Sequence, residues 1–217
     1  MARWFPVARG AEVVSRHIAQ TQLLGEEIAV WRDDTGSLNA WQNRCPHRGV
    51  RLSIGTNTGT ELRCQYHGWR FASGSGQCSM IPAHPTQKPA SSVRVKTYAV
   101  IERYHLVWIN AEVGSAAVPS LPIEEPSQDT TLRSVFTNSP LARVVQGLQQ
   151  EYEAVILDEF TLRAAGLVFS LQPVTDSQTI IHGIAQPGTF GADRLAALRQ
   201  HNSKLSALRD ALERDVP

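Results

Sequence analysis

Short apolar stretches separated by turn residues dominate the first half of the sequence. Glu27 to Arg32 and Ser37 to Gln42 flank the turn Asp33-Asp34-Thr35-Gly36, and Ser92 to Tyr98 and Leu106 to Asn110 are similarly rich in strand-forming residues. Glycine and proline recur between these stretches. Short strands with turn signals between them are typical of an antiparallel β domain, which is what we predict here.

In the second half the apolar residues change to helical spacing. From about residue 140 to 164 this spacing predicts an amphipathic helix, either packed on a sheet or forming a subunit contact. Its apolar positions are Leu141, Val144, Val145, Leu148, Tyr152, Val155 and Leu162. Leu167 to Val174 and Thr179 to Ala185, joined by four turn-type residues, predict a β-hairpin. Leucines between Leu195 and Leu212 predict a terminal helix.

A segment unsuited to regular structure separates the two halves. Val113 to Asp129 contains one glycine and three prolines among small and acidic residues, and proline is excluded from helix interiors and central strands. We therefore predict a β domain at residues 1–115, a linker at 116–130 and a smaller α+β part at 131–217. The predicted fold class is mainly β with an α+β C-terminal part.

Composition and charge limit the expected partners and location. The 217 residues are 42% hydrophobic, and 21 Lys and Arg balance 20 Asp and Glu to a net charge of +1. Neither nucleic acid nor a membrane is therefore expected as a partner. The opening residues lack the apolar core of a signal peptide, and no 18-residue apolar run follows. With three cysteines, two of them in a metal-like pattern, we expect a cytoplasmic protein.

Two short motifs carry the candidate chemistry. Cys45-Pro46-His47 and Cys64-Gln65-Tyr66-His67 each offer one thiolate and one imidazole, and 16 residues separate them. A tetrahedral zinc ion accepts the same donors, but common zinc modules place the two cysteines in one loop and the two histidines in the other. A two-iron cluster in which one iron takes two thiolates and the other takes two imidazoles explains the mixture. Cys78 is left over and is expected to be a small buried residue.

The pattern resembles the Rieske signature, and the wider N-terminal sequence resembles the Rieske domain of bacterial non-haem iron oxygenases, particularly the vanillate O-demethylase branch. The matching strings are Arg44-Cys45-Pro46-His47-Arg48, Tyr66-His67-Gly68-Trp69, Gly76-Gln77-Cys78, Ile81-Pro82-Ala83, Glu102-Arg103-Tyr104 and Val107-Trp108-Ile109. The resemblance implies a 2Fe-2S cluster with Cys45 and Cys64 on one iron and His47 and His67 on the other. It also places both histidines at the exposed tip, where electrons enter and leave.

Departures from related signatures bear on the reduction potential. Rieske proteins of respiratory and photosynthetic complexes have two further cysteines in a disulfide, where this chain has Val50 and Tyr66. They also have a serine and a tyrosine that donate to the cluster sulfurs, where this chain has Trp69 and Phe71. Fewer donors leave the sulfur charge less compensated, so we predict a potential near about −150 mV.

The resemblance also implies a catalytic domain with a mononuclear iron held by two closely spaced histidines and a carboxylate. After Asn110 the only histidines are His182 and His201, nineteen residues apart, so a triad of these with Asp158 is disfavoured. Yet Phe169 to Gly183 resembles late strands of such domains, and Asn202 to Asp210 resembles their final helix. The tail therefore resembles a reduced catalytic domain that lacks its middle.

Three functions follow from these expectations. The first is an electron-transfer component that links an NAD(P)H-dependent reductase or ferredoxin to a mononuclear-iron oxygenase partner. The second is an oxygenase subunit that itself hydroxylates or demethylates a small organic, aromatic substrate with dioxygen. The third is a non-catalytic assembly or redox-sensing partner. By resemblance to the family, a homotrimer is the expected assembly.

Surface residues near the two motifs remain open to two interpretations. Trp69 either lines a docking surface or packs the base of its loop. Arg48 and Arg51 either meet an acidic partner or are ordinary solvated side chains.

Overall fold

The structure of the chain, a computed structural model, describes residues 3–111, 117, 119–126, 130–186, 188–190 and 193–214. Strands dominate the described part, as the sequence predicted. They are β1 Trp4–Arg9, β2 Ile18–Leu23, β3 Glu26–Arg32, β4 Leu38–Gln42, β5 Thr56–Asn57, β6 Glu61–Arg63, β7 Arg70–Ala72, β8 Cys78–Met80, β9 Thr97–Arg103, β10 Leu106–Asn110, β11 Val135–Thr137, β12 Val155–Asp158, β13 Thr161–Ala164, β14 Leu167–Thr175 and β15 Gln178–Ala185. The α-helices are α1 Leu141–Tyr152 and α2 Arg194–Arg214.

Residues 4–110 form two antiparallel sheets that pack on each other. The larger sheet has the strand order β1-β10-β9-β4-β3-β2, and the smaller has the order β5-β6-β7-β8. Trp31 and Trp41 lie edge to face between the sheets, with ring centroids 5.0 Å apart, and they belong to one buried cluster with Leu62 and Phe71. The two predicted metal-binding motifs extend from the edge of this core.

The second part is a five-stranded antiparallel sheet with the order β11-β15-β14-β13-β12, packed against both α-helices. The predicted hairpin and terminal helix are confirmed, because β14 and β15 pair along their length and α2 spans the leucine repeat. Leu205, Leu208 and Leu212 of α2 are buried against α1 and the sheet.

The long helix predicted at 140–164 is wrong beyond Tyr152. Glu153 adopts the left-handed conformation, with φ 52°, and ends the helix. The following residues form β12 and β13, where Val155 pairs with Arg163. Leu162, which fitted the helical repeat, is fully buried through its position in β13 instead. The carboxylates between residues 151 and 159 therefore do not share one helical face.

The strand predicted at Ser92 to Tyr98 is displaced, since β9 begins at Thr97. The residues before β9 are joined to the segment Gly76 to Cys78 by separate backbone hydrogen bonds. The N–H of Cys78 donates to Val93 O at 2.9 Å, and the N–H of Val95 donates to Gly76 O at 2.9 Å. Isolated bonds of this kind tie down the segment without continuing a ladder.

The two parts of the chain share a buried interface. Backbone N–H groups of Leu24 and Gly25 donate to the carbonyls of Pro173 and Val174, at 2.8 and 2.7 Å. The predicted linker at 116–130 lies partly outside the described residues, but Leu121 within it is buried with residues of both parts. The predicted domain boundaries stay predictions.

Among the described residues, no helix is long and apolar enough to cross a membrane.

Candidate metal centre

The two predicted cluster-binding motifs form loops with the same backbone pattern. In the first loop the N–H of Cys45 donates to Val50 O at 2.8 Å, and the N–H of Gly49 donates to Cys45 O at 2.8 Å. In the second the N–H of Cys64 donates to Trp69 O at 2.8 Å, and the N–H of Gly68 donates to Cys64 O at 3.1 Å. Each cysteine thus bonds to the fifth residue after it, and each loop closes on a glycine four positions on.

Both closing glycines have backbone conformations that L side chains rarely adopt. Gly49 has φ 72° and Gly68 has φ 69°, in the left-handed region where a Cβ is strained. A Cβ at Gly68 would also lie 3.1 Å from Cγ of Pro82. The equivalent turns are therefore possible because both motifs supply glycine at the same place.

The loops bury their sulfurs and present their imidazoles to the surface. Cys45 and Cys64 are 4% and 3% exposed and belong to the tryptophan-lined core. His47 is half-buried and His67 is exposed. Soft donors therefore lie inside and nitrogen donors outside, as a cluster with one buried and one surface iron requires.

The sulfur of Cys64 is close enough to perturb the ionisation of Cys45. The pKa of Cys45 is raised to about 11, mainly by burial and also by the adjacent Cys64, whereas backbone N–H groups of His47 and Arg48 act to lower it. A thiol in this setting stays protonated at neutral pH unless a metal cation binds it as the thiolate.

The two imidazoles lie side by side at the tip. Their ring centroids are 4.7 Å apart, with an angle of 59° between the ring planes. Partial burial, together with the positive charges of His67 and Arg48, lowers the pKa of His47, which favours the neutral, metal-binding form.

Two aromatic side chains hold the histidines, a feature that sequence reasoning did not anticipate. Trp69 stacks on His47, with ring centroids 4.3 Å apart and an angle of 8° between the ring planes. The ring centroids of Tyr66 and His67 are 3.8 Å apart. Both aromatic residues are in the motif strings, but the sequence does not show which ring each one meets. The stack on His47 supports packing in the loop for Trp69, while Tyr66 is 61% exposed.

These residues fit a 2Fe-2S cluster. They provide two buried sulfur donors and two surface nitrogen donors on equivalent loops, which matches one iron with two thiolates and one with two imidazoles. Within the described ranges, no three His, Cys, Asp or Glu side chains are grouped to hold a single ion.

The three residues considered for a mononuclear iron lie apart from one another. His182 is buried in β15, where Nε2 bonds to Gln172 Oε1 and Nδ1 to Ser134 Oγ, both at 2.9 Å. His201 lies on α2 near the ring of Tyr152. Asp158 is exposed in β12 and accepts from the N–H of Phe160. Both ring nitrogens of His182 are therefore already used.

Sequence relatives identify the first part of the chain. Residues 3–99 match the Rieske [2Fe-2S] domain family. The oxidoreductase NdmD of Pseudomonas putida is 43% identical over 159 residues, which covers 71% of this chain and 27% of NdmD. TsaM1, the iron-sulfur subunit of the toluene-4-sulfonate monooxygenase system of Comamonas testosteroni, is 29% identical over 209 residues, covering 94% and 57%. The chain spans less than two thirds of each of these relatives.

Solved structures share the fold over nearly the whole chain. Dicamba monooxygenase with non-haem iron and dicamba aligns with a TM-score of 0.74 at 20% identity, covering 98% of this chain and 86% of that one. The NdmA QL mutant of Pseudomonas putida CBB5 with caffeine aligns at 0.73 and 19% identity, covering 99% and 82%. The second part of the chain is included in both matches.

The fold and the donor set define a Rieske iron–sulfur protein, with its Rieske domain at residues 3–99. The chain as a whole is similar to the oxidoreductase NdmD and to the iron-sulfur subunit TsaM1 in sequence, and to dicamba monooxygenase in fold. The Rieske domain carries a 2Fe-2S cluster.

Proposed function

We propose that this chain is an electron-transfer component of an oxygenase system. It accepts electrons from an NAD(P)H-dependent reductase or ferredoxin and passes them to a partner that holds the mononuclear iron. Cys45 and Cys64 hold one iron of the cluster, and His47 and His67 hold the other. The observation that carries the proposal is the pair of adjacent imidazoles, His67 exposed and His47 half-buried, above two buried sulfurs, which gives a short path between the cluster and the surface.

The bound cluster supplies reversible one-electron transfer. The residues of the chain do the rest: the buried core keeps water from the sulfurs, and the two glycine-closed loops fix the donors. Trp69 keeps the ring of His47 in one orientation by stacking on it. The protein thus provides a rigid site, which limits the reorganisation that accompanies electron transfer.

Features of the second part support a carrier over a complete oxygenase. His182 uses both ring nitrogens in hydrogen bonds within the fold, so it has no lone pair free for a metal. The relative with 43% identity, NdmD, is named an oxidoreductase, and TsaM1 is named an iron-sulfur subunit. Both names are compatible with a component that handles electrons.

The second candidate is an oxygenase subunit that itself hydroxylates or demethylates a small organic substrate. The fold alignments with dicamba monooxygenase and with NdmA favour it, because they extend through the five-stranded sheet. It requires a third iron in addition to the two of the cluster.

Cysteine variants test the proposed ligands. Cys64→Ser is expected to lose the cluster and with it the visible absorption and the electron paramagnetic resonance signal of the reduced protein. Cys78→Ser is the matched control, because Cys78 is equally buried but lies outside both loops, with its sulfur 3.7 Å from Met80 O. Equal cluster content in the two variants would contradict the ligand assignment.

Electron transfer itself is tested with the wild-type protein. An NADH-dependent flavin reductase should reduce the cluster, and an added mononuclear-iron oxygenase should reoxidise it, without substrate turnover by this chain alone. Product formation by the chain and the reductase alone would establish the oxygenase candidate instead.

A further inference from the structure

The segment that carries the proposed cluster ligands has a different charge from the rest of the chain. Residues 43–72 contain five of the 21 basic residues and one of the 20 acidic residues. The remainder has 16 basic and 19 acidic residues. A chain that is nearly neutral overall is therefore positive along the segment that carries the proposed ligands and slightly negative over the remaining sequence.

Two of these five arginines are already paired. Arg51 binds both carboxylate oxygens of Glu27, and Arg70 lies 3.8 Å from Glu61. The other three, Arg44, Arg48 and Arg63, are exposed. Within the described part of the chain these three form no ion pair, and we call them the basic rim.

A cavity beside the first loop is lined in part by one arginine of the basic rim. It has a volume of about 440 Å³, and its wall includes Arg44, Gly49 and the two acidic residues Glu26 and Glu27. Glu26 is bonded by Lys96 Nζ at 3.0 Å and by the hydroxyl of Tyr98, and Glu27 is bonded by Arg51. Each carboxylate is thus hydrogen-bonded to another cation, Lys96 or Arg51, whereas Arg44, next to Gly49, acts on Glu27 only through its electrostatic field.

We propose that the basic rim, together with Tyr66, is the docking surface for an acidic redox protein. Carboxylates of that partner approach Arg48 and Arg63, one acidic side chain enters the cavity beside Arg44, and the partner's redox centre comes to lie over the imidazoles. The proposal rests on the proposed electron-transfer function and names the chemistry of the partner that this site accepts.

Physical chemistry favours this assignment. A cluster of unpaired like charges raises the association rate of a partner of opposite sign and makes that rate sensitive to salt. Tyr66, 61% exposed and in contact with His67, adds an apolar surface beside the imidazoles. Aromatic residues ringed by polar groups are typical of interface centres.

Small inorganic oxidants test the charge of the electron exit directly. The reduced protein is mixed in a stopped-flow instrument with ferricyanide, an anion, or with hexaammineruthenium(III), a cation. Each accepts one electron from the reduced cluster, which returns to its oxidised form without bond formation. Lowering the ionic strength is expected to speed the reaction with ferricyanide and slow the reaction with the ruthenium complex.

Charge reversal identifies the residues. Arg44→Glu combined with Arg48→Glu should lower the low-salt rate with ferricyanide by about tenfold and raise the ruthenium rate. Arg199→Glu is the matched control: Arg199 is also exposed and has the same charge, but it lies on α2. It should leave both rates unchanged. Midpoint potentials of all variants are measured so that the rates are compared at equal driving force.

A protein probe then tests docking. A reduced plant-type 2Fe-2S ferredoxin, which is acidic, should reduce the oxidised cluster of the wild type at a rate that falls as the salt concentration rises. At low salt the rate should be about tenfold lower in the double variant than in the wild type. Arg199→Glu should react at the wild-type rate. Equal rates for all three proteins at low salt would overturn the docking surface while leaving the carrier function intact. A cluster that no probe reduces or oxidises would instead overturn the proposed function.

Discussion

At the scale of single residues, the site is defined by what surrounds its sulfurs. Phe71 is fully buried in the same cluster of side chains as Cys45 and Cys64, and Trp69 stacks on His47. Neither side chain has a hydroxyl that could donate a hydrogen bond to a cluster sulfur. Without hydroxyl donors, the negative charge gained on reduction is stabilised less. A potential near about −150 mV, the low end for Rieske centres, is expected on these grounds.

Restoring one hydroxyl should raise the potential. Phe71→Tyr is expected to shift it upward by on the order of 40 mV, because a hydrogen bond that is about 1 kcal/mol stronger in the reduced state changes a one-electron potential by that amount. Spectroelectrochemical titration measures the shift. Phe71→Leu, which alters packing without adding a donor, should not produce the rise; an equal rise in both variants would refute this explanation.

The surroundings of His182 predict how the stability of the fold depends on pH. It is 1% exposed, and burial lowers its pKa to about 3, with a smaller contribution from Arg9. Gln172 Nε2 donates to Thr21 Oγ1 and Gln22 O, so Gln172 Oε1 accepts from His182 Nε2–H. The Nδ1 atom of the neutral ring then accepts from Ser134. Protonation would place an unpaired cation in the core.

The unfolded chain takes up this proton below about pH 6.5, whereas the folded chain does not until about pH 3. Stability from this residue is therefore complete above pH 6.5 and falls by about 1.4 kcal/mol per pH unit below it. Urea unfolding at pH 7 and pH 5 should show a loss of about 2 kcal/mol that His182→Gln lacks. A loss of the same size in the variant would show that other groups cause it.

At the scale of secondary-structure elements, the strands of the first half and the late hairpin could be predicted, because turn residues and apolar runs are local signals. The helix end at Tyr152 could not. Leu162 fitted the helical repeat of α1 but is buried by strand pairing, and a left-handed Glu153 carries no local sequence signal. The contact of α1 with α2 could not be predicted from the sequence either.

That helix contact depends on Gly147. A Cβ at Gly147 would lie 2.8 Å from Leu208 Cδ1 and 3.4 Å from Leu212 Cδ2. Gly147→Val is therefore expected to force α1 from α2 and lower the free energy of unfolding by about 1–3 kcal/mol. Gln146→Val adds the same side chain at the adjacent exposed position and should change stability by less than about 1 kcal/mol. Equal effects in urea unfolding would contradict this account of the helix contact.

At the scale of the whole molecule, the two parts act as one support for the cluster loops. Trp108 of the first part is buried with Val168 and Ile184 of the second, and Phe5 meets Phe160 edge to face, with ring centroids 5.0 Å apart. Motif spacing was sufficient to predict the four candidate ligands. The pairing of Arg51 with Glu27, and hence the free charges around the site, required the tertiary structure because these residues are 24 positions apart.

The central claim is that this chain holds one cluster and no catalytic iron of its own. Iron and acid-labile sulfide per purified chain, with Cys64→Ser as the cluster-free control, test it most directly. We predict two irons and two sulfides per chain, as a single 2Fe-2S centre requires, and no iron in the variant. Three irons with two sulfides, of which one iron remains in Cys64→Ser, would contradict the claim and identify the chain as an oxygenase.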